Sequence, residues 1–276
     1  MKRWNGWGDT THQSHLPAGA DDFLETRVGA SSPPKDVTLN QISGVVPNSR
    51  LKAHPLIKTD NQDRLLHARG QSFPDWHALR TGQIGVFPDG VAYPVTDEDV
   101  RALIAYAKDT DTKLIPYGGG TSVVGHINPQ KSDQPVLTVD MGRMNRLIHL
   151  DATTRHATFG AGIAGPDLEA LLRAQGFTLG HYPQSFEYST LGGWIAARSS
   201  GQQSLYYGRI EHLFAGGRME SPLGTLDMPP FAASAAGPDL RQWVLGSEGR
   251  MGIITQATVR ISPQPEVDEF RAVFFP

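Results

Sequence analysis

The pattern of apolar and polar residues becomes regular at about residue 88 and predicts strands alternating with helices. Residues 91–94 are typical of a strand, and Thr96 is placed to cap a helix with an acidic first turn. Apolar residues then recur at helical spacing and predict one buried face, made of Val100, Leu103, Ile104 and Ala107. Because a strand over residues 113–117 follows directly, the pattern predicts a strand, helix, strand unit.

Further along the chain the same reasoning predicts a mixed structure of class α+β. Strands are expected at residues 135–140, 146–150, 156–159 and 177–179, a hairpin over 213–219 and 224–227, a short helix from Pro238-Asp239 to Leu245, and a strand over 253–261. Residues 1–85 are weakly patterned and predict an irregular N-terminal arm, with Ser31-Ser32-Pro33-Pro34 as a linker. Within the arm, the pattern of residues 37–46 does not distinguish a strand from a helix.

Three glycines end the second strand of the unit, at Gly118, Gly119 and Gly120, and the hydroxyl residues Thr121 and Ser122 follow. Without a Cβ, such a loop can turn its backbone N–H groups toward a phosphate, and the hydroxyls add donors. The alternative is a tight turn that needs glycine for its backbone conformation alone.

A second glycine pattern, Gly160-Ala161-Gly162-Ile163-Ala164-Gly165, matches the dinucleotide-binding fingerprint. It follows a strand and precedes a helix in which Pro166 suits the first turn and Gly176 the C-cap. However, no carboxylate follows the next strand before Glu187, although the fingerprint needs one for the ribose. The pattern therefore argues against a Rossmann site.

Two more glycine and hydroxyl regions lie at residues 184–208 and 246–252. Long polar loops in compact domains are usually functional. Three such loops at the ends of strands and helices indicate a long phosphorylated ligand that the protein contacts at several points. A nucleotide-bearing cofactor fits this better than a single phosphate.

Composition narrows the classes of function. The net charge of −3 and the scattered basic residues argue against nucleic-acid binding. The chain has no cysteine, which excludes disulfides and thiolate ligands, and we expect no metal site, including at the His12/His15 pair. The N-terminus lacks the apolar core of a signal peptide and no 18-residue apolar run occurs, so we expect a cytoplasmic protein.

Four segments in order carry a family resemblance: residues 116–122, 180–194, 237–240 and 246–249. They resemble the FAD-binding domain of the vanillyl-alcohol oxidase and p-cresol methylhydroxylase (PCMH) type, and within it the alkylglycerone-phosphate synthases. The Lys-Arg-Trp-Asn-Gly-Trp-Gly stretch at residues 2–8 and His67-Ala68-Arg69-Gly70 also resemble those enzymes. The resemblance implies a fold of two α/β subdomains that sandwich the FAD, in which residues 160–166 form an ordinary strand-to-helix connection.

Carried across by position, the resemblance implies three groups of cofactor contacts. The pyrophosphate falls on Pro116, Tyr117, Gly118, Gly119, Gly120, Thr121 and Ser122. Flavin and ribityl contacts fall on Gln184, Ser185, Phe186, Glu187, Tyr188, Ser189 and Thr190, and on Ala197, Arg198, Ser199 and Ser200. Adenine-side or flavin contacts fall on Glu248, Gly249, Arg250, Met251, Gly252, Ile253 and Ile254.

The chain departs from the family at several positions. Gln184 replaces a frequent Asp, Arg250 replaces a small or hydroxyl residue, and residues 229–236 lack an arginine that eukaryotic synthases carry. Thr121 stands where related enzymes often attach the flavin covalently through a histidine, so we expect non-covalent FAD.

Four side chains have two interpretations each. His181 either approaches the flavin or forms its hydrogen bonds with backbone groups, and the second interpretation is favoured. Arg198 pairs either with a phosphate or with a carboxylate of the fold. Trp194 is favoured as a core residue over a stacking partner. Glu248 accepts a ribose hydroxyl or caps the following turn.

The resemblance implies an FAD-dependent enzyme that exchanges the acyl chain of acyl-dihydroxyacetone phosphate for a fatty alcohol in ether-lipid synthesis. The alternatives are an FAD-linked oxidase or dehydrogenase of a 2-hydroxy acid such as D-lactate or glycolate, and an inactive FAD-binding module. We expect a small-molecule or lipid-like substrate, with peripheral membrane association and a homodimer as further options.

The domain limits follow from the resemblance. Residues 1–85 are expected to form the arm, 86–265 the PCMH-type domain, and 266–276 the start of a cap domain that is cut off. Because the family places most catalytic groups in the cap, no catalytic residue is assigned.

Overall fold

A computed structural model describes residues 3–11, 15–32, 35–269 and 271–275. The helices are α1 (Ala20–Val28), α2 (Leu39–Ser43), α3 (Asn61–Leu66), α4 (Phe73–Thr81), α5 (Asp97–Thr110), α6 (Gly165–Arg173), α7 (Leu191–Ala197), α8 (Ser204–Tyr207), α9 (Ile210–Leu213) and α10 (Arg241–Val244). The strands are β1 (Ile57–Lys58), β2 (Gly90–Ala92), β3 (Lys113–Tyr117), β4 (Val136–Asp140), β5 (Leu147–Asp151), β6 (His156–Gly160), β7 (Phe177–Thr178), β8 (Phe214–Ser221), β9 (Gly224–Met228), β10 (Ile253–Arg260) and β11 (Ser262–Pro263).

These strands form three sheets, with orders β1-β2-β4-β3, β5-β6-β10-β8-β9 and β11-β7. The five-stranded sheet is antiparallel throughout, and its β8-β9 hairpin confirms the predicted one. The chain divides into two compact units. The first unit comprises Met1–Ala92, Thr110–Ile115 and Gly120–Thr138, and the second comprises Tyr93–Asp109, Pro116–Gly119 and Val139–Pro276.

Helix α5 of the second unit forms as its sequence predicts. The Thr96 hydroxyl accepts the Asp99 N–H at 3.1 Å, and the Asp99 carboxylate accepts the Thr96 N–H at 3.1 Å. This reciprocal pair satisfies N–H groups that a helix start leaves without partners. The predicted apolar face is buried, at Val100, Leu103, Ile104 and Ala107.

Charged side chains hold the start of α5 to the five-stranded sheet. Arg218 on β8 donates to the Asp97 carboxylate at 2.9 Å and to Asp227 at 2.7 Å, and Gln256 on β10 donates to Asp97 at 2.8 Å. Hydrogen bonds to the two carboxylates raise the pKa of Arg218 above its ordinary value. Through Asp97, Arg218 therefore ties β8 to the start of α5, and Gln256 ties β10 to it.

The main core of the second unit lies between this sheet and helices α6 and α7. Its fully buried members come from both layers, among them Phe159, Leu168, Leu172, Ile195, Phe214 and Val259. Buried and partly exposed residues do not alternate regularly along β10. A bulge interrupts its pairing with β8 between Ile254 and Gln256.

The N-terminal arm carries more structure than its sequence indicates. Residues 37–46, which the sequence left open, contain helix α2 with a Thr38/Gln41 capping box. Helices α3 and α4 follow, and a small buried cluster includes Ile42, Leu65, Leu79 and Ile84. These helices have five to nine residues, too short to show a clear helical period. Pro33 and Pro34 of the predicted linker lie outside the described residues.

Three further predictions need correction. Helix α6 ends at Arg173 with Ala174 as its C-cap, so Gly176 is not the cap and instead occupies a left-handed turn (φ 79°) two residues later. Residues 184–208 are not one long loop, because α7 and α8 form inside them. Residues 272–276 resemble the first strand of a cap, but residues 272–275 contain no strand, and Pro276 lies outside the described residues.

Within the described ranges, no helix combines the length and the apolar character needed to cross a membrane.

Two adjacent leucines of α6 test the core of the second unit. Leu172 is fully buried, whereas Leu171 is 38% exposed. Because Leu172→Ala leaves a cavity, we expect it to lower the free energy of unfolding by about 2–5 kcal/mol, and Leu171→Ala by less than about 1 kcal/mol. Urea denaturation of both variants measures this difference. Equal losses would contradict the assignment of the buried face.

Candidate functional site

Two of the predicted cofactor loops touch in the second unit. A Cβ built on Gly119 would lie 1.6 Å from the carbonyl oxygen of Tyr188, and one on Gly118 would lie 2.3 Å from the hydroxyl oxygen of Thr190. No side chain fits at such distances, so the Tyr188 backbone requires glycine at position 119, and the Thr190 side chain requires it at position 118. The turn at 116–119 and the segment 188–190 therefore form one surface.

The third predicted loop joins the same surface. Gly249 has a φ of 78°, and a Cβ on it would lie 3.1 Å from the ring of Pro116. Glu248 donates its backbone N–H to Ala196 at 2.9 Å, and Gly246 donates to Ile195 at 3.0 Å. Residues 116–119 and the two later loops, which lie far apart in sequence, are thus brought together within the second unit.

The remaining residues of the glycine turn belong to the first unit. There Gln71 donates its N–H to the carbonyl of Ser122 at 2.7 Å, and a Cβ on Gly70 would lie 2.5 Å from that oxygen. Asn128 accepts the Gly70 N–H at 2.9 Å and donates to the buried Asp75 at 2.7 Å. The segment that resembles the synthases at residues 67–70 therefore supports the end of the turn.

Several hydroxyl groups predicted to contact the cofactor are used by the fold instead. The Ser189 hydroxyl accepts from Trp194 Nε1 at 2.7 Å and donates to the Ser185 carbonyl at 2.8 Å, and the Thr190 hydroxyl accepts the Gly193 N–H at 3.4 Å. Trp194 is buried in the core, which confirms the favoured interpretation. Phe186 stacks on Trp194, with ring centroids 6.4 Å apart.

His181 is buried at the start of the second loop, but backbone groups do not satisfy it. Its Nε2 pairs with the Ser199 hydroxyl at 2.8 Å, and its ring meets Trp194 edge-on at 5.0 Å. Nδ1 is buried without a hydrogen-bond partner. Burial lowers the pKa of His181 to about 4, so the ring is neutral near pH 7. The expectation of backbone partners was therefore wrong.

Several side chains of the predicted set, both charged and uncharged, lie toward solvent. Arg198, at the left-handed end of α7, donates to Glu211 at 2.9 Å, which confirms the carboxylate interpretation. The side chains of Gln184, Glu187, Ser200, Arg250 and Met251 are exposed.

A phosphate-bearing cofactor such as FAD fits this surface through its backbone. Gly118 and Gly119 are half-buried and carry no side chain, so the turn stays accessible between Pro116 and the segment 188–190. Tyr117 beneath it is buried, and burial raises the pKa of its phenol. Backbone N–H groups can hold anions without a basic side chain.

The dinucleotide fingerprint at residues 160–165 serves packing. A Cβ on Gly162 would lie 1.7 Å from the Met141 carbonyl, and one on Gly160 would lie 2.2 Å from the Met144 carbonyl. These glycines let β6 run closely past residues 141–144 and into α6. The structure thus confirms an ordinary strand-to-helix connection.

A separate cavity of about 220 Å³, which the sequence analysis did not predict, lies at the start of α5. Asp97, Glu98, Arg146 and Gln256 contribute its polar lining, and Val95, Met144 and Ile148 its apolar lining. None of the predicted cofactor residues lines it. The lining comes from four stretches far apart in sequence, a combination that no local motif marks.

The buried His181 predicts a pH dependence of stability. Its folded-state pKa of about 4 lies below the ordinary 6.5, so the unfolded chain binds more protons between these values. The stability that the neutral His181 contributes is fully present above about pH 6.5 and is lost as the pH falls toward 4. His181→Gln should reduce this slope by about 1.4 kcal/mol per pH unit, measured by urea denaturation.

The exposed His126 provides a matched control, and His126→Gln should leave the slope unchanged. A residual slope is expected from His156, whose pKa burial also lowers. Parallel pH profiles for the wild type and His181→Gln would contradict the buried neutral ring.

Comparison with known proteins agrees with this geometry. The FAD binding domain family matches residues 88–226, half of the chain. An alkyldihydroxyacetonephosphate synthase of Dictyostelium discoideum is 35% identical over 310 residues, covering 99% of this chain and 51% of that protein. The glycolate oxidase subunit GlcD of Bacillus subtilis is 28% identical and covers 76% of this chain.

A solved structure of an alkyldihydroxyacetonephosphate synthase superposes with a TM-score of 0.84 at 33% identity, over 96% of this chain and 55% of that one. The chain therefore spans about half the length of the relatives it matches. The α+β class and the PCMH-type fold are confirmed. The chain belongs to the FAD binding domain family and is similar over nearly its whole length to the alkyldihydroxyacetonephosphate synthases.

Proposed function

We propose that this chain is the FAD-binding part of an alkyldihydroxyacetonephosphate synthase-type enzyme, which exchanges the acyl chain of acyl-dihydroxyacetone phosphate for a fatty alcohol. One observation carries the proposal: the loops of the predicted cofactor site meet at Gly118, Gly119 and Gly249, in a chain whose similarity to such synthases covers 99% of its length.

When bound, FAD supplies the reactive isoalloxazine ring, and the protein supplies binding and orientation. The turn at 116–119 would hold the pyrophosphate through backbone N–H groups, because its glycines leave no room for side chains. Loop 184–190, fixed to the core by Trp194, would orient the flavin side. Loop 248–254, adjoining Pro116 at Gly249, would hold the adenine side.

We further propose that the FAD is bound non-covalently, since Thr121 offers no histidine for attachment. The substrate would be a small or lipid-like molecule, and ether-lipid chemistry would bring the enzyme to a membrane surface. We also propose that the protein forms a homodimer and lies in the cytoplasm. The limits 1–85, 86–265 and 266–276 are proposed as arm, FAD-binding domain and first cap residues.

A second candidate function is oxidation of a 2-hydroxy acid. The similarity to a glycolate oxidase subunit over 76% of the chain supports it, at 28% identity. A third is a cofactor-binding module without activity. The wider coverage by the synthase relatives, 99% against 76%, favours the first proposal.

A full-length protein that contains this sequence distinguishes the candidates. We expect it to form the ether product from acyl-dihydroxyacetone phosphate and radiolabelled fatty alcohol. We also expect its flavin to stay oxidised when D-lactate or glycolate is added anaerobically. Rapid flavin bleaching by either acid, without ether product, would support the oxidase instead. Strong turnover by the isolated 276-residue chain would contradict the module hypothesis.

Gly119→Ala tests the cofactor surface in the isolated chain. The added Cβ would lie 1.6 Å from the Tyr188 carbonyl, so the turn and the second loop must separate. We expect the Kd for FAD, measured by flavin fluorescence, to rise about tenfold or more, which is ~1.4 kcal/mol.

Gly44→Ala is the control, because its Cβ would meet its nearest neighbour at an ordinary 3.6 Å. This variant should bind FAD like the wild type. A folded Gly119→Ala variant with wild-type affinity would show that the cofactor does not use this surface.

A further inference from the structure

Glu169 is a buried carboxylate on α6, the helix that follows the misleading dinucleotide fingerprint. It is 5% exposed. It lies in sequence between two glycine-rich segments, and no catalytic motif includes it. Because a buried carboxylate is costly unless it is hydrogen-bonded, its partners show what it does for the fold.

Those partners are three consecutive residues. Thr178 donates its hydroxyl to Glu169 Oε2 at 2.8 Å, and Leu179 and Gly180 donate their backbone N–H groups to Oε1 at 3.0 and 3.1 Å. Charge-assisted hydrogen bonds of this kind are stronger than neutral ones. The carboxylate therefore fixes the backbone that ends β7.

A second connection runs through Arg173, one helical turn further along α6. Its Nε lies 3.6 Å from Glu169 Oε2, and its Nη2 donates to the Tyr182 hydroxyl at 3.1 Å. Tyr182 in turn packs on Phe186, with ring centroids 4.8 Å apart. Glu169 is thus linked to the chain on both sides of His181.

The segment that Glu169 fixes leads straight into the second cofactor loop. Gly180 has a φ of 71°, and a Cβ on it would lie 2.2 Å from the ring of Tyr207, so only glycine fits at this position. The loop then runs from the buried His181 to Tyr188 and Ser189, where the backbone meets Gly119. The far end is held by that contact and by Trp194, and the near end by Glu169.

We infer that Glu169 is a positioning residue of the FAD site: its carboxylate holds residues 178–180 so that loop 181–190 reaches the glycine turn in a fixed conformation. This inference rests on the proposed FAD-binding function. In this role α6 acts through a buried side chain. A dinucleotide-binding fingerprint would instead use the N-terminus of the helix.

Three variants of the isolated chain test the inference. Glu169→Ala removes all three hydrogen bonds, whereas Glu169→Gln keeps one acceptor oxygen for the two N–H groups. Asp89→Asn is the matched control, because Asp89 is 4% exposed and accepts the Val136 N–H at 2.8 Å and Arg50 at 2.7 Å in the first unit. All variants are compared at a temperature where circular dichroism shows them folded.

The first readout is hydrogen exchange of the apo chain, which does not depend on cofactor. We expect exchange in residues 181–190 to be at least tenfold faster in Glu169→Ala and less affected in Glu169→Gln. Asp89→Asn should leave this segment at the wild-type rate even where it lowers global stability. Wild-type exchange in both Glu169 variants, or equal acceleration in Asp89→Asn, would overturn the inference. If Glu169→Ala does not fold, Glu169→Gln decides.

The second readout is FAD binding by flavin fluorescence and absorption. We expect the Kd to rise about tenfold in Glu169→Ala and several-fold in Glu169→Gln, with an altered band shape of the bound flavin. Unchanged Kd and spectrum in both variants would overturn the inference. If the wild type itself takes up no FAD, the proposed function fails, and the exchange experiment still decides the role of Glu169 in ordering the loop.

Discussion

The contact between the backbone of Gly119 and that of Tyr188 is the constraint on which the site depends. With 1.6 Å between a notional Cβ and the Tyr188 carbonyl oxygen, the two loops approach until only hydrogen atoms fit between them. Such an approach fixes the two loops against each other. Hydrogen bonds support the second loop next to this contact: Ser189 accepts from Trp194 and donates to the Ser185 carbonyl, and Thr190 accepts the Gly193 N–H.

The sequence predicted this surface because glycine loops have a strong local signature. The strand before Gly118, the α5 face and the β8-β9 hairpin also followed from local patterns, and the structure agrees with each. Which hydroxyls remain for a ligand was not predictable. Ser189 and Thr190 look like ligand contacts in sequence, and only the three-dimensional neighbours show that Ser189 bonds to Trp194 and to the Ser185 carbonyl and that Thr190 accepts the Gly193 N–H.

Other features were hidden because they depend on contacts distant in sequence. The helices of residues 1–85 are short and bury few residues each, so no period emerges, although their cluster around Leu65 and Ile84 is well formed. The glycines of residues 160–165 match a phosphate-binding motif, but they are needed for close passage beside Met141 and Met144. The buried carboxylate of Glu169 gave no signal, since its three partners lie nine to eleven residues later.

The visible absorption spectrum of the purified 276-residue chain, followed by acid precipitation, tests the central claim most directly. The account predicts the two absorption bands of oxidised flavin, with FAD released intact into the acid supernatant. A chain that stays colourless after incubation with excess FAD would contradict the claim that its three loops form a cofactor site. Flavin that remains in the acid pellet would contradict non-covalent binding.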